Sequence, residues 1–195
     1  MKSPPLDVAA AARVTNSQRF NLRDVGFVAV QATHLASPEP GSPMLLDWET
    51  PPVTAVWNLS DAGLKVVLPM TLFIDAVEET EAATRTRVAE VSVVLRMDYQ
   101  VADAPGESFE EDLPNYVGIC GYLHAWPYFR SEVQWLTAKL GFPPLVLPVV
   151  VSGDAANRVT VRGAHELQED LKPTAKKIAS KTTPKKLAKK SAKQA

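Results

Sequence analysis

The sequence predicts an α+β chain: strand segments first, then an amphipathic helix, then a basic tail. Three observations carry this. Residues 63–78 and 88–101 alternate side chains with a period of two, the period of a strand. Phe129, Val133, Leu136 and Leu140 recur at spacings of four, three and four, the stripe of an amphipathic helix. Residues 172–195 hold nine lysines, no acid and almost no large apolar group. Such a segment cannot bury enough surface to offset its ordering entropy and is expected to be disordered.

Residues 1–19 read as a leader with a short helix. Asp7 is placed to cap a helix over residues 8–18, because its carboxylate accepts from the orphan N–H groups of a first turn. Residues 22–36 have strand character. Simple alternation puts Val25 and Phe27 on one side, Val28 and Val30 on the other, so this strand is expected to be covered on both faces for part of its length. The prolines of residues 37–43 break the chain. Residues 53–59 form a second strand.

The third strand, 64–78, sends Leu64, Val66, Leu68, Met70, Leu72 and Ile74 one way. Pro69 cannot donate to a ladder, which places this strand on an edge or bulges it. The fourth, 88–101, sets Val91, Val93, Leu95, Met97 and Tyr99 against Glu90, Ser92, Arg96 and Asp98. With the short polar turn between them, strands three and four read as a long antiparallel hairpin. Pro127 suits the first turn of the helix, Gly141 its left-handed end, and three prolines keep residues 142–151 extended.

Charge divides the chain. Of 21 basic and 22 acidic residues, nine basic ones lie in 172–195. The body keeps 12 basic and 22 acidic residues, a net charge of −10. It repels nucleic acid, whereas the tail, through Lys176, Lys177, Lys185, Lys186, Lys189 and Lys190, resembles segments that contact phosphate backbones. No aromatic interleaves these lysines, so base stacking is not expected. The N-terminus has no apolar signal segment and no run is long enough to span a bilayer, which predicts a cytoplasmic protein. A single cysteine, Cys120, fits a reducing compartment and is expected to pack rather than react.

No catalytic constellation appears. His34, His124 and His165 lie at no ligand spacing, and phosphate-binding and nucleophile motifs are missing, so neither enzyme chemistry nor a cofactor is expected.

One phrase is more specific. Trp126-Pro127-Tyr128-Phe129-Arg130-Ser131-Glu132 leads, through the helix, to Gly141-Phe142-Pro143-Pro144-Leu145-Val146-Leu147-Pro148-Val149. This resembles the SecB-family pattern F-P-Y-A-R-E, helix, G-x-F-P-x-L-x-L-x-P-V. Asp47-Trp48 followed by Pro52 is similar to that family's D-W-x-P-x-V, and Val88-Ala89-Glu90-Val91 to its L-x-E-V strand. The likeness covers roughly residues 20–151, within a SecB-like domain placed at 20–171.

The resemblance implies a four-stranded antiparallel sheet packed with helices, assembly as a dimer or a tetramer, and ATP-independent holding of unfolded polypeptide. Clients would be preproteins or an antitoxin. Trp57, Phe73, Trp126, Tyr128, Phe129 and Trp135 are the candidates for client or subunit contact. Glu90 resembles an acid through which export members contact the translocase motor, while 32–36 lack the acids such members carry late in the first strand. The lysine-rich tail also departs from the acidic or polar tail of export members. A scaffold or nucleic-acid-associated protein acting through that tail is the alternative.

Overall fold

The computed structural model describes residues 5–36, 44–78, 85–102, 111–143 and 145–165. Expectations for the lysine tail, and the end of the domain placed at 20–171, fall outside these residues. Among the described residues, no helix is long and apolar enough to cross a membrane.

The elements run α1 (Val8–Asn16), β1 (Phe20–His34), β2 (Met44–Glu49), β3 (Val53–Ser60), β4 (Gly63–Glu78), β5 (Arg85–Val101), α2 (Leu113–Lys139), α3 (Ser152–Arg158) and β6 (Val159–Gly163). Asp7 caps α1, accepting from the Ala9 N–H at 2.8 Å. The four expected strands are present, but the sheet has six. Its order is β1-β5-β4-β3-β6, with β2 also on β4, and β6 runs parallel to β3. The four-stranded antiparallel expectation is therefore corrected, among the described residues, to a six-stranded mixed sheet with three helices. Thr54 and Thr160 hydroxyls meet at 2.9 Å across the β3–β6 pair.

Pro69 sits in a central strand rather than on an edge. On one side β4 pairs with β5 along its whole length. On the other, β3 pairs with residues 63–67 and β2 with residues 73–78, leaving 68–72 without a partner strand. Thr50-Pro51-Pro52, between β2 and β3, breaks the neighbouring strand opposite this gap. The prolines thus cluster where few ladder bonds are required.

The face of β4 and β5 predicted to be apolar is the core face. Leu64, Val66, Leu68, Leu72, Val91, Val93, Leu95 and Met97 are fully buried there, under α2. α2 begins at Leu113, not at Pro127, which lies inside it. Pro114 takes the early position that suits proline. One glycine in this first half, Gly118, marks a close contact. A Cβ on Gly118 would overlap Leu6 Cδ1 and meet Val161 Cγ2 at 2.8 Å, whereas on Gly121 it would lie 3.5 Å from Val66 Cγ1, an ordinary contact. At the far end Gly141 has φ +85° and closes the helix as expected. Residues 145–151 form no helix and join no sheet, and Val151 at their end is extended.

Candidate functional site

The six aromatic candidates do not converge. Trp126 and Phe129 belong to the core: Phe129 is fully buried, and Trp126 stacks between Tyr122 and Phe129 while its indole N–H donates to the Pro148 carbonyl at 2.8 Å. Trp57 is half-buried on the helix side of the sheet, paired with Val66 and Gly163. Phe73 lies on the opposite face with the Arg87 guanidinium 3.9 Å from its ring centroid. Glu90, directly opposite both Phe73 and Thr33, shares that face and accepts from Ser92 at 3.3 Å. Tyr128 and Trp135, seven residues apart on one side of α2, are exposed, and Lys139 Nζ sits 3.4 Å from the Trp135 ring centroid.

Two further exposed apolar surfaces lie outside the candidate residues. The first is β1. Two bulges, at Leu22/Asp24 and Phe27/Ala29, shift its register against β5. A one-residue shift moves every following side chain to the other face. Leu22, Val25, Phe27 and Val30 therefore stand opposite Tyr99, Met97, Leu95 and Val93, all on the core face. This overturns the assignment of Phe27 and Val30 to opposite sides.

The expected cover over both faces of this strand is also missing. Phe27 is 47% exposed and Val30 40%, whereas Leu95 and Val93 beside them are fully buried. Among the described residues, cover is best at the ends of β1 and partial at Val25 and Ala32. Phe20 stacks on Tyr116 at 5.2 Å, and the His34 ring lies 5.6 Å from Phe142. Between these ends runs an open apolar trough along the sheet's edge strand.

The second surface is the extended segment after α2. Leu147 is buried and anchors it, while Val146 and Val149 are 70% and 75% exposed and Val151 is exposed too. The Leu145 N–H donates to Thr137 Oγ1 at 3.3 Å. Beyond it, the N–H groups of Val146, Leu147, Val149 and Val150 have no hydrogen-bond partner among the described residues. Exposed valines beside free backbone donors form an edge onto which another extended chain can add.

Among the described residues no group of His, Cys, Asp and Glu is placed to hold a metal. The half-buried His124 ring meets Tyr99 instead, with Nδ1 2.9 Å from the hydroxyl. Burial raises the Tyr99 pKa far above its ordinary range, so the hydroxyl stays protonated. Burial also lowers the pKa of His124 below its ordinary 6.5. The unfolded chain then takes the proton first. Stability is complete above about pH 6.5 and is lost as pH falls through the lower folded-state value. The urea midpoint is expected to drop between pH 7.5 and 5.5, and His124→Gln to flatten that drop. An unchanged slope in the variant would exclude this histidine as the cause.

No family model matches the chain. SecB-like chaperone Rv1957 of Mycobacterium tuberculosis strain H37Rv is 26% identical over 141 residues, covering 68% of this chain and 78% of that protein. SecB-like chaperone MT2006 of M. tuberculosis strain CDC 1551 is 25% identical over 141 residues, with the same coverage. Among solved structures, M. tuberculosis Rv1957 in complex with a ChAD peptide from the Rv1956 HigA1 antitoxin matches with a TM-score of 0.54 at 22% identity. It covers 73% of this chain and 97% of that one.

Proposed function

We propose that this chain, a distant homologue of the SecB-like chaperones, is an ATP-independent holdase that binds extended segments of unfolded polypeptide. The observation that carries the reading is the segment 145–151. Its exposed valines give apolar contact and its free N–H groups give backbone hydrogen bonds, which together suit any extended apolar client. Many weak contacts add through multivalency, so no cofactor or nucleotide is needed.

An antitoxin segment is favoured over a preprotein as client. The solved relative is bound to an antitoxin peptide. The end of β1, Ala32-Thr33-His34, carries no acid to engage a translocase motor, which leaves Glu90 as the candidate contact. The trough along β1 is assigned to a second copy of the chain, giving a dimer and, through further pairing, a tetramer.

Suppression of aggregation of a denatured client tests the reading. At equimolar chain, aggregation should fall severalfold. Replacing Val146 and Val149 together by serine should remove most of that effect and leave the unfolding midpoint nearly unchanged, since both side chains are exposed. Full suppression by the double variant would exclude this segment, and none by the unaltered chain would exclude the function.

A further inference from the structure

We propose that α1 is a displaceable strap: it covers an apolar strip of α2, formed by Ile119, Cys120 and Leu123, which a bound polypeptide takes over when the strap swings away about Gln18. The inference deepens the holding function proposed above and rests on it.

The route of the N-terminal segment shows the cover. Leu6 lies against Gly118 of α2, and its N–H donates to the Ala156 carbonyl at 3.1 Å. From there α1 runs to Phe20, which stacks on Tyr116 at the start of β1. The strap thus crosses the first half of α2 and leaves Tyr128 and Trp135 open.

Its hold is slight. Only Ala10, Ala11 and Val14 of α1 are buried, and all three are small. The fit is incomplete: an open cavity of about 330 Å³ remains between the helices, lined among others by Val8, Thr15, Ile119, Cys120, Leu123 and His124. The polar ties lie at the surface, where solvent weakens them. Arg13 forks onto Asp112 at 2.8 and 2.9 Å, and the Asp7 N–H reaches Asn115 Oδ1 at 2.8 Å.

The hinge is strained. Gln18 has φ +53°, the sole non-glycine residue with positive φ among those described. L-residues occupy that region at a cost, and straightening Gln18 relieves it. The occupant seen in the structure also states the chemistry of its replacement. α1 is a short segment of alanine and valine, so the strip suits a small-residue apolar stretch of a client.

A reversible lock tests the strap. Thr15 Oγ1 lies 3.4 Å from Cys120 Sγ. In Thr15→Cys the new thiol and Cys120 are close enough to form a disulfide. Oxidised glutathione accepts the two electrons and two protons and becomes two molecules of glutathione. The oxidised variant is expected to hold a denatured reporter at least fivefold less tightly than the same protein after dithiothreitol. Adding Cys120→Ser should abolish that difference, and Arg13→Ala, which cuts a tie outside the strip, should shift holding the other way. Hydrogen exchange of the α1 amides should quicken when the unaltered chain is saturated with reporter.

Equal holding by the oxidised and reduced forms, with both as active as the unaltered chain, would overturn the strap. So would unchanged or slower exchange in α1. Failure of every form to hold reporter, the unaltered chain included, would instead remove the holding function, and the strap with it as a client-driven device.

Discussion

Phe129→Ala is expected to lower the free energy of unfolding by about 3–5 kcal/mol, the range for removing a fully buried aromatic and leaving a cavity. Trp135→Ala, six residues further along the same helix, should change it by less than about 1 kcal/mol, because what it removes is an exposed ring under a lysine ammonium. The difference comes from position on the helix. Phe129 is fully buried beside Trp126, whereas Trp135 is 53% exposed and touches Lys139. Urea unfolding followed by circular dichroism gives both values. The pair also separates fold from function: Trp135→Ala keeps the fold and reports on client or subunit contact, which Phe129→Ala cannot do cleanly. A loss at Trp135 as large as at Phe129 would mean that this side of α2 is packed in the assembled protein.

The stripe behind that division was legible in the sequence, yet the family resemblance grouped Phe129 with Tyr128 and Trp135 as contact candidates. Phe129 lies on the stripe it shares with Val133 and Leu136, all of which are buried. Tyr128 and Trp135 lie off the stripe, and periodicity alone assigns them to the surface. The hairpin of β4 and β5 was equally plain, because one face of it is buried and alternation follows burial.

Other features were hidden for identifiable reasons. The first half of α2 carries Gly118 and Gly121, and Pro127 after them imitates a helix start. Only tertiary contact shows that Gly118 admits Leu6 and Val161. β2 and β6 are short strands of six and five residues, and β6 gains its ladder from β3, more than a hundred residues earlier. No local pattern encodes such a pairing. The faces of β1 were misread because its two bulges cannot be seen in alternation.

Replacing Phe27 and Val30 together by aspartate is expected to dissociate the assembly while the protomer stays folded. Both side chains stand on the core face of the sheet, yet they are exposed beside β5 partners that are fully buried. An apolar row on an edge strand needs cover, or it invites uncontrolled association. If a second copy supplies the cover, two carboxylates placed under it lose hydration without gaining partners. A penalty of about 3 kcal/mol, modest for such groups, already weakens association by roughly a hundredfold. The protomer itself should lose little, since both positions face water before association. Sedimentation velocity at micromolar concentration should then show a dimer or tetramer for the unaltered chain and a monomer for the variant. Identical sedimentation of the two would place the contact between copies elsewhere and leave the β1 trough open to clients. A monomeric unaltered chain would remove the contact between copies altogether and likewise leave the trough open. The Val146 and Val149 variant would then be the comparison that ranks the two apolar surfaces, because it changes the extended segment without touching β1.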